Sequence, residues 1–210
     1  MSKDKKVIST LGLFAVIILC LSYFYFFIFI KTPEYSLRLV RESINKHDVQ
    51  TFKKHVDLKL VYGNLFDNYI SLELKANPND SFTNNFVLGI AKIIKPAIVE
   101  ELVTQTEKQI ANIEKPAQEN NDNNKIVSDL NKTDDLKTLK IKNVSTVSKD
   151  KDSKIANLII AVTDTQINQD FQLNIKMSEL SDGTWQIIEI SNAIEFFKAR
   201  ESIKNPTATN

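Results

Sequence analysis

The hydrophobic residues are distributed unevenly along the chain, and the first long run of them ends at Ile30. From Val7 to Ile30 there is neither a charged residue nor a proline. About 20 apolar residues suffice for an α-helix to cross the hydrocarbon core of a bilayer. The run is too long for the core of a cleaved signal peptide, and its end, "FIFIKTPEY", lacks the small residues that a signal peptidase requires. We therefore predict an uncleaved transmembrane anchor at residues 7–30, preceded by a short tail at residues 1–6.

Beyond the anchor, apolar residues recur every three or four positions, which is the spacing of helices that bury one side. Thr32 followed by Pro33 predicts the start of a first helix, which ends near His47. Asp48 and Asp57 are the predicted capping residues of a second and a third helix. The apolar residues with this spacing are Leu37, Val40 and Ile44 in the first helix, Val49, Phe52 and Val56 on one face of the second, and Leu58, Val61, Leu65, Tyr69 and Leu72 in the third.

A further helical stretch starts after Asn84 and runs towards Lys115. Pro96 lies inside it, and because proline cannot continue the hydrogen-bond ladder, we expect a kink or two abutting helices there. A polar stretch follows, and residues 117–135 are predicted to form a flexible insert. The residues predicted on the buried side of this helix are Phe86, Ile90, Ile93, Ile94, Ile98 and Leu102.

After Leu136 the hydrophobic pattern changes from helical spacing to alternation, which predicts β-strands. The Asp182-Gly183 pair predicts a hairpin turn between the last two strands, in which both residues take positive φ. The alternation slips between Ile141 and Val144, which indicates a bulge. The predicted strands cover residues 136–147, 154–165, 171–180 and 184–191, with Phe171, Leu173, Ile175 and Met177 on one face of the third.

A short helix is predicted at the end of the body, with Asn192 as its cap and a loose tail at residues 201–210. Helices followed by an antiparallel sheet predict an α+β fold, in which the helices cover one face of a curved four-stranded sheet. The domain divides into a helical part at residues 31–116 and a sheet part at residues 136–200. Such an arrangement can enclose a cavity between the helices and the sheet.

Charge and composition exclude several classes of function. Lys and Arg number 27 against 26 Asp and Glu, and this near-balance gives no electrostatic basis for binding nucleic acid. The four glycines are far apart, so the chain has no glycine-rich loop for a phosphate. Cys20 is the only cysteine and lies in the apolar run, which leaves the body without a disulfide, a cysteine-ligated zinc or a cysteine nucleophile.

Basic residues before the anchor predict its orientation in the membrane. Lys3, Lys5 and Lys6 lie in the short tail, and basic residues near a membrane span favour the cytoplasmic side. We predict a single-pass protein of the cell membrane with its N-terminus in the cytoplasm and its body outside.

Two stretches of the body resemble a known family. The segment "TPEYSLRLVRESINKHDVQTFKKHVDL" after a membrane helix is similar to the start of a bacterial domain-of-unknown-function family of small membrane-anchored proteins. The later "DGTWQIIEISN" is similar too, as is the Lys95-Pro96 pair. The order of helices and strands also resembles the nuclear transport factor 2-like, or cystatin-like, cone. The resemblance implies this fold and a membrane-anchored protein, and it implies no activity. The matched residues are Thr32, Pro33, Tyr35, Ser36, His47, Asp48, Phe52, Lys54, Val56 and Asp57.

Both histidines of the chain lie close to two aspartates, so His47, Asp48, His55 and Asp57 are candidate metal ligands. Zinc takes three or four such ligands, but their spacing here fits no known ligand pattern. Capping explains the same residues, because Asp48 and Asp57 stand where helices begin and each histidine stands where one ends. We therefore predict that the four residues delimit helices and that no cofactor is bound.

Proton-transfer chemistry in the expected cavity is a second candidate. It needs a carboxylate with a raised pKa beside a phenol or another acid. Asp67, Tyr62, Tyr69 and Asp164 are the residues of the right type, although each is equally typical of a surface acid or a tyrosine at the edge of a core. Trp185 is predicted to be a core residue.

The sequence therefore favours a non-enzymatic envelope protein with no catalytic residue. Its body is expected to bind a partner protein or a small apolar ligand. The alternatives are an isomerase-type enzyme that uses the cavity, and a structural subunit of a membrane assembly.

Overall fold

A computed structural model describes residues 3–76, 81–111, 138–150 and 152–204 of the chain. The predicted insert at residues 117–135 lies outside the described residues, as does most of the predicted tail at residues 201–210. The helices are α1 (Lys3–Phe27), α2 (Pro33–Asn45), α3 (Val49–His55), α4 (Leu58–Ala76), α5 (Ser81–Ile110) and α6 (Ala193–Lys204), and a 3₁₀ turn (Phe29–Lys31) joins α1 to α2. The strands are β1 (Leu139–Asp150), β2 (Ile155–Asp164), β3 (Gln169–Glu179) and β4 (Trp185–Ile190).

Helix α1 corresponds to the predicted anchor. Its apolar part, Gly12–Lys31 with the 3₁₀ turn included, has a mean hydropathy of 2.7, and none of it is buried against the body. The helix is therefore long and apolar enough to span a membrane. Its helical conformation extends back to Lys3, into the stretch expected to be a tail.

The predicted starts of α2, α3 and α4 are confirmed. The backbone N–H of Tyr35 donates to the Thr32 hydroxyl at 3.2 Å. Asp48 accepts from the N–H of Thr51 and Asp57 from that of Leu60, each at 3.0 Å. Each side chain satisfies a backbone N–H that the first turn of a helix leaves without a partner.

The buried side of α2 is not made only of its apolar residues. Ile44, which continues the helical spacing of Leu37 and Val40, is 46% exposed. The side that faces the body carries the small residues Ser36 and Ser43, which are buried, while Leu37 and Val40 are partly buried against the core. Small side chains let the helix backbone approach the sheet closely. The spacing of hydrophobic residues alone does not predict that these two serines are buried.

Helix α5 is continuous from Ser81 to Ile110 with Pro96 inside it, so the expected division into two helices is not observed. Its second half is buried, as predicted, at Leu102. Its first half was predicted wrongly, because Phe86, Ile90 and Ile93 are exposed. Helix α4 lies beside this half of α5, as the Lys95–Asp67 ion pair shows, but it does not cover these three side chains.

The four strands form one antiparallel sheet in the order β1-β2-β3-β4, which confirms the meander. The expected bulge appears as a register shift between Ile141 and Asn143. In the β3–β4 turn only Gly183 has positive φ, at 81°, so the expectation of positive φ at Asp182 was wrong. The N–H of Gly183 donates to the Leu180 carbonyl at 2.9 Å, which makes this a three-residue loop that ends in a left-handed glycine.

The architecture is α+β, as predicted, with α4 and α6 packed against β4 and β3. Asn192 stands just before α6, but its side chain bonds the β3 backbone at Gln172 and Asn174. The space between helices and sheet is filled by large side chains. Those that are essentially inaccessible to solvent include Phe66, Leu102, Leu158, Met177 and Trp185.

Candidate functional site

His47 and Asp48 lie in the short connection between α2 and α3. His47 has positive φ, at 56°, and its Nδ1 donates to the carbonyl of Ile110 at 2.8 Å, which ties the end of α2 to the end of α5. Hydrogen bonds from Thr51 to the Asp48 carboxylate lower the pKa of Asp48. Both residues therefore have a structural role that can be read from their contacts.

His55 and Asp57 lie on either side of the short link between α3 and α4. His55 is buried, and its Nδ1 donates to the carbonyl of Trp185 at 2.9 Å. Burial lowers the pKa of His55 more than this hydrogen bond raises it, so the ring stays neutral at neutral pH. Asp57 caps α4, and its own N–H donates to Ile187 at 2.9 Å. Within the described ranges, no three His, Cys, Asp or Glu side chains are grouped closely enough to hold a metal ion.

Three of the candidate proton-transfer residues lie on α4. Asp67 is exposed and pairs with Lys95 at 2.7 Å. Tyr62 is buried, and its hydroxyl donates to Thr106 at 2.6 Å, since the Thr106 hydroxyl itself donates to the carbonyl of Leu102. Burial raises the pKa of Tyr62. Tyr69 packs at the edge of the core.

The fourth candidate, Asp164, belongs to a buried ion pair. Its carboxylate accepts a short hydrogen bond from Arg200 on α6 and another, at 2.8 Å, from the N–H of Gln166. Arg200 also donates to Thr138 at 3.0 Å. Burial acts to raise the pKa of Asp164. The hydrogen bonds from Arg200, Gln166 and Thr138 and the charge of Arg200 act more strongly in the opposite direction, so the pKa is lowered from its ordinary value. The shift is opposite to the one that a general acid needs.

Trp185 is fully buried at the start of β4, which confirms its predicted place in the core. Its backbone N–H donates to the Ser36 hydroxyl at 2.9 Å, its carbonyl accepts from His55, and its indole Nε1 donates to the carbonyl of Lys31 at 3.1 Å. Above the ring, the Lys149 ammonium lies 4.7 Å from the centroid, close enough for a cation–π interaction. We call this cluster of five residues the Trp185 junction.

The β3–β4 turn packs directly against the junction. A Cβ atom added to Gly183 would lie 2.9 Å from Cδ of Lys31, so glycine is needed there for space as well as for φ. Next to it, Asp182 pairs with Lys54 at 2.7 Å and accepts from the hydroxyl and N–H of Thr184. The ammonium of Lys54 and the hydrogen bonds from Thr184 strongly lower the pKa of Asp182.

Helix α5 has an exposed apolar side whose residues are not buried in the core. Phe86 is 61%, Ile90 43% and Ile93 78% exposed, and Ala97 continues the same side of the helix one turn further. Residues spaced by four, three and four lie on one face of a helix. We call these four residues the α5 face.

Sequence reasoning missed Arg200 and Ser36. Arg200 is separated from Asp164 by 36 positions, and Ser36 from Trp185 by 149. No local signal marks either pair, since Arg200 stands among the other charged residues of its helix, such as Lys198 and Glu201.

No protein-family model, curated protein or solved structure matches this chain. The resemblance to a bacterial domain-of-unknown-function family and to the cystatin-like cone stays a prediction from the residues that carry it.

Proposed function

We propose that this is a single-pass membrane protein whose body binds a partner protein through the α5 face. The observation that carries the proposal is the exposure of Phe86, Ile90 and Ile93 on one side of a helix. Monomeric soluble proteins seldom leave large apolar side chains clustered on the surface, and such clusters are typical of interaction sites.

The shape of the α5 face favours a protein over a small apolar ligand. Small ligands bind in concave pockets that enclose most of their surface. A single helix side is convex, and an apolar groove or a second helix on a partner fits it better. Inside the body, Trp185 and Leu102 are fully buried members of the core.

Helix α1 supports the membrane part of the proposal, because its stretch from Gly12 onwards is long and apolar enough to span a membrane and is not buried against the core. In the proposed arrangement the N-terminus is cytoplasmic and the body lies on the outer side of the cell membrane. The partner is then a protein of the same compartment as the body.

The test is photo-crosslinking of the full chain in its native membrane. A photo-reactive amino acid at Ile93 is expected to give a discrete crosslinked protein, whereas the same amino acid at Lys108, which is exposed and polar on the same helix, gives none. Ile90→Asp is expected to abolish the crosslink at position 93. Loss of one buried isoleucine contact of about 2 kcal/mol corresponds to roughly 30-fold weaker binding.

Lys92→Asp is the matched control, since Lys92 is exposed on the same turn of α5 but lies outside the α5 face. It introduces the same carboxylate and is expected to leave the crosslink intact. Equal crosslinking at positions 93 and 108, or a crosslink at 93 that survives Ile90→Asp, contradicts the proposal.

A further inference from the structure

The connection between α1 and the body has no flexible linker. The 3₁₀ turn follows α1 directly and ends at Lys31, and Thr32 both closes that turn and caps α2. Thr32 bonds in both directions, since its N–H donates to Phe29 at 3.2 Å and its hydroxyl accepts from Tyr35. The position of Lys31 relative to the body is therefore fixed by the fold.

The β3–β4 turn lies at the end of the apolar span. Lys31 is the last residue of that span, and its side chain touches Gly183 in the turn while its carbonyl holds the indole of Trp185. When α1 crosses a bilayer, the last residue of the span lies near the boundary between hydrocarbon and headgroups. The turn then lies at the same level.

The charges near this turn suit a surface of lipid phosphates. Among the described residues, neither Lys31 nor Lys149 is in salt-bridge contact with a carboxylate. The carboxylate of Asp182, in contrast, is compensated by Lys54 and Thr184. The ammonium groups of Lys31 and Lys149 lie over the rings of Phe27 and Trp185 and carry uncompensated charge, so they attract phosphate oxygens, and the compensated Asp182 repels those oxygens little.

The opposite end of the sheet is far from Lys31. The β2–β3 turn, residues 165–168, is separated from the β3–β4 turn by the 11 residues of β3. A strand of that length covers about 35 Å, several times the thickness of one headgroup layer.

We propose that the β3–β4 turn, with Lys31 and Lys149, rests on the phospholipid headgroups, and that the β2–β3 turn is held away from them. The body then has one end that faces the bilayer and a fixed orientation relative to the membrane plane. This inference rests on the membrane anchoring proposed above.

The test is depth-dependent fluorescence quenching of the full chain in phosphatidylcholine vesicles. Cys20 is the only cysteine and lies exposed on α1, so a fluorophore on it reports insertion of the anchor. In a Cys20→Ser background, Ser181→Cys places the fluorophore in the β3–β4 turn and Gln166→Cys in the β2–β3 turn. Both of these positions are exposed.

We expect nitroxides on the acyl chains to quench the fluorophore at Cys20. Nitroxides on the headgroups are expected to quench position 181 severalfold more than position 166. Quenching at Cys20 with equal quenching at 181 and 166 overturns this inference and leaves the anchor intact. Absence of quenching at Cys20 overturns the anchor, and this inference with it.

Discussion

At the scale of single residues, Asp164 and Arg200 carry opposite charges in a part of the body that solvent barely reaches. Moving each charge out of water costs several kcal/mol, and only the partner and additional hydrogen bonds offset that cost. Thr138 and the N–H of Gln166 supply those additional bonds. The pair therefore holds α6 to the ends of β1 and β2 only while both members are present.

Arg200→Met is expected to lower the free energy of unfolding by about 3–5 kcal/mol, because it leaves the Asp164 carboxylate buried without a counter-charge. Urea denaturation measures the loss. Lys142→Met is the control, since it breaks an ion pair with Asp170 in which both side chains are more than half exposed. Equal effects of the two substitutions would show that the Asp164 pair is not buried.

His55 should make stability depend on pH. Burial lowers its pKa in the folded state below the ordinary value of 6.5, although the Trp185 carbonyl and the charge of Asp182 act in the opposite direction. Below about pH 6.5 the unfolded chain therefore binds a proton that the folded chain does not, and stability falls as the pH is lowered from that value.

His55→Asn keeps a donor for the Trp185 carbonyl and removes this titration. Between about pH 7.5 and about pH 5, the free energy of unfolding of the variant should decline less than that of the wild type. Parallel curves from urea denaturation across this range would contradict the assignment.

The contacts of single residues could be predicted from the sequence only where they are local. Thr32, Asp48 and Asp57 each bond a backbone N–H three positions ahead, and all three caps were predicted. The bonds of Ser36 to Trp185 and of Arg200 to Asp164 join distant positions. Which side chains meet there depends on the packing of whole elements, which no short stretch of sequence encodes.

At the scale of elements, the contact between Gly183 and Lys31 joins a hairpin turn to the end of the apolar helix. Gly183→Ala is expected to destabilise the fold by about 1–2 kcal/mol because alanine resists positive φ. A further cost arises because the new methyl group displaces the Lys31 side chain.

Lys31→Ala removes the Lys31 atoms that the new methyl group would meet. Gly183→Ala should therefore lower the free energy of unfolding by less in a Lys31→Ala background than in the wild type. The loss that persists in that background is the cost of placing alanine at positive φ. Thermal unfolding of the two single variants and the double variant measures this difference. Identical costs in both backgrounds would mean that the turn and Lys31 are not in contact.

Helix α5 shows why the position of an element is harder to predict than its existence. Its helical spacing was recognised from the sequence; Leu102 is buried as predicted, and Ile98 is partly buried against the core. Phe86, Ile90 and Ile93 have the same spacing, yet they are exposed. Periodicity defines a face of a helix, but the packing of the other elements decides which part of that face is covered.

At the scale of the whole molecule, the chain consists of an apolar helix and an α+β body whose charges nearly balance. The fold class and the strand order were predictable because both follow from patterns that repeat over many residues. The way in which the apolar helix meets the body was not, since it depends on the Trp185 junction, whose residues come from four separate parts of the chain.

Charged residues in the middle of α1 should release the protein from membranes. Ile17→Lys and Leu21→Lys each cost about 2.5–3.5 kcal/mol of insertion free energy near the centre of a span. The wild type is expected to remain in the membrane pellet after alkaline extraction, and the double variant to move to the supernatant.

Ile17→Leu with Leu21→Ile changes the same two positions and keeps them apolar. This control variant should stay in the pellet. If the wild type itself were extracted, α1 would not be a membrane span.

Trp185 gives the molecule a built-in optical reporter. It is the sole tryptophan of the chain, and its indole is buried with its Nε1 bonded to the Lys31 carbonyl. Its emission spectrum therefore senses one place only, where the end of the apolar segment meets the first residue of β4. Loss of that contact will shift the emission to longer wavelength, so separation of the anchor from the body can be followed without attaching any dye.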